Sequence, residues 1–306
     1  MNQTGDPAES RPSGPAERIV YLQVPMAMSS AGLIAATATT LDRPLDPAWY
    51  LAAFLGTWCV YLRDSAASCD AEDRVSQPGR AALFRSSAFL RTVLPVVVAG
   101  AGLATLVWIR PTGWTTALLL GVGFLGLLHA VSVGGRTTSA SEDHPPLRSR
   151  LAILKSPLVS IAWAAAAVSL PILEGRVPAD SSHRWMDAVM LGLPLVAILL
   201  ADSLLLDLRD READARFQLR TIAVRLRPGT VHGIVGGLLV VAAAGIALDR
   251  ITGDPAIPWL RFGIPVVLGL AAAWVAWPIL RRHEAALAMS VMSWRFLAAL
   301  VCCVSP

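Results

Sequence analysis

The residues best suited to chemistry form one short run, Asp207-Leu208-Arg209-Asp210-Arg211-Glu212-Ala213-Asp214. Spacings of three and four place Asp207, Asp210 and Asp214 on one face of a helix. Three carboxylates on one face repel one another, and at the end of an apolar segment such a face is costly unless cations neutralise it. Oxygen-only donors suit Mg²⁺, which keeps part of its water shell and is commonly shared with the phosphates of a substrate. The interleaved Arg209, Arg211, Arg216 and Arg220 are of the type that grips phosphate oxygens. Taken alone, the cluster is equally well read as a salt-bridged helix end at a membrane boundary.

A second acidic run lies upstream, from Asp64 through Asp70, Glu72 and Asp73, again directly after an apolar segment. Two registers are open. Asp64, Ser68 and Glu72 follow steps of four and share one face, whereas Asp70 and Asp73 fall nearly opposite on an ideal helix. Two acidic faces at matching ends of apolar segments suggest an internal repeat and paired metal sites facing each other. Asp202 sits about one turn inside the apolar segment from Asp207, and an acid at that depth is expensive enough to be a functional candidate. Lys155, the sole lysine, starts another apolar segment; its plain alternative is a snorkelling boundary marker. Arg295 falls within the last apolar segment, where pairing with an acid of another helix is expected. His129 reads as a satisfied core histidine and His144 as loop. Cys59, Cys69, Cys302 and Cys303 have no metal-ligand spacing and read as apolar filler.

These groups must be positioned by a membrane-embedded frame. The chain has 306 residues, of which 55% are hydrophobic and 16% charged; soluble domains average about 25% charged. Apolar segments are predicted at Ile19–Leu41, Pro47–Leu62, Val93–Ile109, Trp114–Val133, Leu158–Leu173, Met186–Leu206, Val231–Leu248, Trp259–Leu280 and Ala285–Val304. Each reads as a helix crossing about 30 Å of hydrocarbon, the shorter ones extended by their polar flanks. The expected architecture is an all-α, polytopic bundle of about nine transmembrane helices. A disordered tail over residues 1–18, with no evident cleavable signal peptide, precedes a single membrane domain over 19–306.

The formal charge of +4 does not point to nucleic acid, because the basic residues divide by side of the membrane. Arg63, Arg74, Arg80, Arg85, Arg91, Arg136, Arg148, Arg150, Lys155 and the arginines from Arg209 to Arg227 lie in the long connections, with Arg281 and Arg282 in a later one. Arg11 and Arg18 lie in the tail. Only Arg43, Arg110, Arg176, Arg184, Arg250 and Arg261 lie on the other side. Basic loops stay in the cytoplasm, so the sequence predicts a cell (inner) membrane protein with a cytoplasmic N-terminus and an external C-terminus. Trp49, Trp108, Trp114, Trp185 and Trp259 fall near the outer ends of the segments, as an interfacial belt does.

On these residues the chain resembles the UbiA superfamily of membrane prenyltransferases, whose members have about nine transmembrane helices and aspartate-rich cytoplasmic motifs after the second and sixth. The resemblance covers nearly the whole chain by topology. It is most specific over Asp202 to Asp214, followed by Arg220-Thr221-Ile222-Ala223-Val224-Arg225-Leu226. There the family carries an asparagine, then D-x-x-D-x-x-x-D, then a basic-Thr-Leu-Ala run. The departures are Asp202 in place of asparagine, no glycine between Ala215 and Leu219, and a first motif with Ser68 at an acidic step.

The resemblance implies a central cavity open to the cytoplasmic side, in which an isoprenoid diphosphate is held by Mg²⁺ and its chain transferred to an aromatic or other small lipophilic acceptor. It implies Asp207, Asp210 and Asp214 as metal ligands, with Asp64, Asp70, Glu72 and Asp73 from the first motif. It also implies Lys155, Arg209, Arg211 and Arg220 at the diphosphate, and Asp202, with Lys155, in the catalytic set. The donor and acceptor are the expected partners, within the lipid bilayer. Competing readings are a catalytically inactive relative with a lipid-binding or accessory role, and a secondary transporter using Asp202 and Arg295. Against the last, the paired Gly/Pro-interrupted segments of transporters are missing. A CDP-alcohol phosphatidyltransferase would carry an Asp-Gly and Ala-Arg arrangement that this sequence lacks.

Overall fold

The computed structural model describes residues 14–69, 73–133, 152–176 and 184–252, with short helical stretches between 267 and 277. Among the described residues the chain is helical, with no strand. Four helices are long and apolar enough to cross a membrane: Phe89–Ile109, Ala152–Glu174, Val189–Arg216 and Pro228–Gly245. A fifth span results if Pro15–Tyr21 and Val24–Thr40, bent by 63°, count as one. Helices also occupy the expected second and fourth segments. The ninth segment, like Arg295 within it, lies outside the described residues, as does most of the eighth.

Local sequence explains the boundaries. Helix α1 (Pro15–Tyr21) begins inside the segment expected as a tail, with Pro15 at its first position, where a missing N–H costs nothing. Gln23 takes a left-handed conformation, φ 62°, and Pro25 then opens α2 (Val24–Thr40), which produces the bend. Helix α3 (Pro47–Ser68) starts on Asp46, whose carboxylate accepts the Ala48 N–H at 3.0 Å, with Pro47 following. That pairing is a standard N-terminal cap. Two short helices follow, α4 (Asp73–Ser76) and α5 (Pro78–Arg85), separated at Gln77 by Pro78. A π-helical turn at Phe89–Val93 leads into α6 (Leu94–Ile109). Arg110, φ 56°, ends α6 immediately before Pro111, and α7 (Gly113–Val133) returns. The rest comprises α8 (Lys155–Glu174), α9 (Arg184–Arg216), the short α10 (Ile222–Arg225) and α11 (Pro228–Thr252).

The longest element sits in the middle. Leu191, Leu195, Ile198, Leu199, Leu204 and Leu205 of α9 are fully buried. They pack with Leu33 of α2, Ala167 and Val168 of α8, and Val231, Val235 and Ala242 of α11. Small residues let the backbones approach: Thr37 Oγ1 donates across to the Ala167 carbonyl at 2.7 Å, and Ser30 Oγ to the Ala53 carbonyl at 3.0 Å. Gly245 of α11 lies against Pro194 of α9, so close that a Cβ there would stand 2.9 Å from the proline ring. Helix α6, by contrast, turns Val96, Leu103 and Val107 outward. An apolar helix exposed in this way suits lipid as its solvent. Its Trp108, 82% exposed, and the nearby Trp114, 79% exposed, flank the turn into α7, as an aromatic belt requires.

Three connections meet at one end of the bundle. The Thr112 N–H donates to Glu174 Oε1 at 2.9 Å, Arg176 pairs with Asp46 at 3.1 Å, and the Arg176 N–H reaches the Pro44 carbonyl at 3.2 Å. Gly175 makes this closure possible, since a Cβ would fall 2.7 Å from Cβ of Arg43 and 2.3 Å from the Pro171 carbonyl oxygen. Both obstacles are backbone or branch-point atoms that cannot swing aside. Gly175→Ala is expected to destabilise the fold by about 1–3 kcal/mol, as overpacked sites do. Detergent unfolding with the mild variant Gly123→Ala as control measures it, and an unchanged melting curve would show that the closure opens at no cost. Residue 123 has open space around it.

Candidate functional site

At the opposite end, α9 is longer than a membrane crossing needs. Its 33 residues span about 50 Å at about 1.5 Å per residue, against about 30 Å of hydrocarbon. Its last turns carry the acidic run. The N-terminus of α8 arrives alongside. Ser156 Oγ donates to Asp207 Oδ2, and Lys155 lies within electrostatic reach of both Asp207 and Asp210. Asp207 is buried and interacts with Asp210 across one helical turn. The Arg209 guanidinium grips Asp210 through Nε at 2.8 Å and Nη2 at 2.7 Å. A further polar contact, Ser160 to Ser203 at 3.4 Å, continues the α8–α9 seam inward toward buried Asp202.

The first acidic run reaches the same place through α4, which packs on α9. Asp73 and Arg80 form a buried fork: Nε to Oδ2 at 2.9 Å and Nη2 to Oδ1 at 2.5 Å. Two parallel charge-assisted bonds of this kind are among the strongest side-chain interactions. Burial disfavours the charged guanidinium, but the Asp73 carboxylate outweighs it and holds Arg80 above its ordinary range, with Asp64 and Asp210 adding to the effect. Arg80 thus stands between the two acidic runs. Asp64 is half-buried at the end of α3. Ser68, at the following step of four, donates back to the Asp64 carbonyl at 2.9 Å and is buried.

Other expected site residues lie further along the chain, at the turn that follows α9. Asp214 is 1% exposed and accepts from Thr221 Oγ1 at 3.0 Å, while its carbonyl accepts the Leu219 N–H at 2.8 Å. The chain reverses there at Gln218, φ 56°, so Asp214 ties that reversal to the start of α10. Arg211 Nε donates to the Ala223 carbonyl at 2.8 Å, closing the same turn. Arg220 is exposed. Asp70 and Glu72 lie outside the described residues.

Sequence reading missed Arg80 and Ser156. Arg80 counted only toward loop charge, because a proline-marked break between Asp73 and Arg80 removes any helical periodicity linking them. Ser156 was overshadowed by the lysine beside it. Among the described residues no three His, Cys, Asp or Glu side chains are grouped closely enough to share a metal ion. Asp207 and Asp210 nevertheless form a hard, oxygen-only pair, and one or two carboxylates completed by substrate phosphates are the usual protein share of a Mg²⁺ site. The chemistry of this pair suits that ion, with Asp210 exchanging its Arg209 contacts for it.

The chain matches no protein-family model, no curated protein sequence and no solved structure.

Proposed function

We propose that the protein is a UbiA-type prenyltransferase of the cell membrane. It would transfer an isoprenoid chain from its diphosphate to a lipophilic acceptor, within a nine-span bundle whose cavity opens to the cytoplasmic face. One observation carries this reading: acidic and basic residues from α3, α4, α5, α8 and α9, far apart in sequence, converge where the central helix leaves its apolar surroundings. Asp207, Asp210, Asp73, Lys155, Arg209 and Arg80 meet there. That composition, carboxylates for a hard cation among fixed positive charges, suits a metal-bound diphosphate. The arginine bias of the connections favours a cytoplasmic position for that end.

In this reading Asp207 and Asp210 would hold Mg²⁺, which when bound would supply neutralising charge to the diphosphate oxygens. Lys155 and Arg209 bind the same oxygens and favour the charge that builds as the allylic C–O bond breaks and its electron pair leaves with the diphosphate. The apolar side chains of α8, α9 and α11 line the path of the isoprenoid and keep water from the cation. Asp202, one turn deeper, is suited to orient the acceptor or take the proton it releases once the new C–C bond has formed. Asp214 and Arg211 maintain the turn that follows.

A second reading, a lipid-binding relative without transferase activity, draws on the bonds the site already makes within the chain: Asp73 with Arg80, Asp210 with Arg209, Asp207 with Ser156. A thermal-shift titration of detergent-purified protein with isoprenoid diphosphates of several lengths separates the readings from a bare membrane scaffold. A ligand at a hundredfold excess over Kd stabilises the folded state by about 2.7 kcal/mol. The expected result is a shift for one chain length that requires Mg²⁺, shrinks in EDTA and disappears in Asp207→Ala. Absence of any shift in folded protein would refute the donor site. A shift without turnover against any lipid extract would favour the second reading.

A further inference from the structure

We propose that the connection between α9 and α11 is a binding site for an anionic phospholipid. Arg225 and Arg227 hold its headgroup phosphate, and its acyl chains lie along the exposed side of α11. The site is separate from the acidic one and independent of prenyl transfer.

The connection carries uncompensated charge. From Leu219 to Leu248 the chain has Arg220, Arg225 and Arg227 and no aspartate or glutamate. All three arginines are exposed, and none pairs with a carboxylate among the described residues. The first acidic run differs: Arg63 and Arg74, also exposed, directly adjoin Asp64 and Asp73. The basic connection is also anchored from beneath. Leu219, Thr221 and Ala223 are buried. Thr221 donates to Asp214, and the Ala223 carbonyl accepts from Arg211. A fixed turn therefore presents the cations, and little ordering is left for a ligand to impose.

What lies beside the charge decides the kind of ligand. Helix α11 opens at Pro228, directly after Arg227, and Pro228–Gly245 is long and apolar enough to cross a membrane. Ile234, Val240 and Val241 of that helix are 37%, 68% and 60% exposed. Ile234 and Val241, seven residues apart, share one helical face. Guanidinium groups at the end of a span, above an exposed apolar face, match a molecule with phosphate at one end and hydrocarbon at the other. A soluble anion would use the arginines alone. A zwitterionic headgroup brings its own cation, so uncompensated arginines select a lipid with net negative charge.

The test measures lipid binding without turnover. Full-length protein in detergent is stripped of lipid and titrated with phosphatidylglycerol or phosphatidylcholine of the same acyl chains, and bound lipid is read by native mass spectrometry. Wild-type protein is expected to prefer phosphatidylglycerol. Arg225→Gln with Arg227→Gln should weaken that binding by about 10- to 30-fold, about fivefold for each arginine at a lipid surface, and leave phosphatidylcholine unchanged. Arg225→Lys with Arg227→Lys should keep most of the preference. Arg63→Gln with Arg74→Gln removes as much charge elsewhere and should keep all of it. Should the double glutamine variant fail to fold, Arg225→Gln and Arg227→Gln are read singly, with about fivefold expected for each. Equal affinity for the two lipids, full phosphatidylglycerol affinity in the folded Arg225 and Arg227 variants, or an equal loss in the Arg63 and Arg74 variant would overturn the site. Displacement of the lipid by soluble glycerol phosphate would show a plain anion site and overturn the assignment to lipid.

Discussion

Asp207→Asn combined with Asp210→Asn is expected to lower prenyl transfer by about 10³-fold or more, with a loss of stability confined to the Arg209 fork on Asp210. Both substitutions keep side-chain volume. The new amide oxygen at position 207 can still accept from Ser156, so the α8–α9 seam closes as before. What is lost is charge. Two negative oxygens that suit a hard divalent ion become neutral amides, and Mg²⁺, which gives up its waters reluctantly, gains little from them. Removing a single preorganised charge-stabilising group typically costs about 10²–10³ in kcat, and here two are removed from one ion. The diagnostic measurement is initial rate against Mg²⁺ concentration at saturating diphosphate. A large fall in kcat with a raised Mg²⁺ requirement is expected for either single variant, and loss of detectable turnover for the pair. Full activity in the double variant would show that transfer, if it occurs, does not use this site.

The second large effect is on stability. Asp73→Ala should destabilise the protein by about 3–5 kcal/mol, because it leaves the Arg80 guanidinium buried without its counter-charge. Arginine cannot escape by deprotonating, since its pKa lies beyond any usable pH and Asp73 raises it further. The unpaired charge must either drag water in or pull α5 out from beneath Tyr21. Replacing both members, Asp73→Leu with Arg80→Met, removes the buried charge along with its partner and should restore most of the lost stability, since apolar replacements of whole buried pairs are often neutral. Unfolding midpoints of the three variants decide the matter. If Asp73→Ala melts like wild type, the fork is not a buried pair in solution. If the double variant remains as weak as the single one, packing at α4 rather than charge is the dominant contribution.

Both expectations concern groups whose relationship differs in legibility. Asp207 and Asp210 sit on one unbroken helix, so a repeat of 3.6 residues places them together from spacing alone. Asp214 obeys the same spacing, yet it faces Thr221. The chain folds back after Phe217, and the returning segment covers that stretch of the face. Of the two registers in the first run, Asp64 of one and Asp73 of the other are described, while Glu72 and Asp70 lie outside the described residues. Asp64 and Asp73, drawn from the two alternatives, both lie within reach of Arg80, and α4 ends at Ser76 before α5 begins at Pro78. Periodicity cannot be carried through Gln77 and Pro78.

The sequence by itself determined the membrane character, the helical class, the position of the main apolar segments and the two acidic runs beside them. These follow from composition and local period, which a chain carries in one dimension: long apolar stretches must bury their own backbone bonds, and regular spacing sets a helical face. Only the tertiary structure decided which charges meet. It brought Ser156 and Lys155 of α8 to Asp207, set Arg80 between Asp73, Asp64 and Asp210, and joined Asp214 to Thr221 and Arg211 to the Ala223 carbonyl of α10. The energy of such pairs depends on separation and burial across helices, and neither quantity is contained in the spacing of residues along one of them.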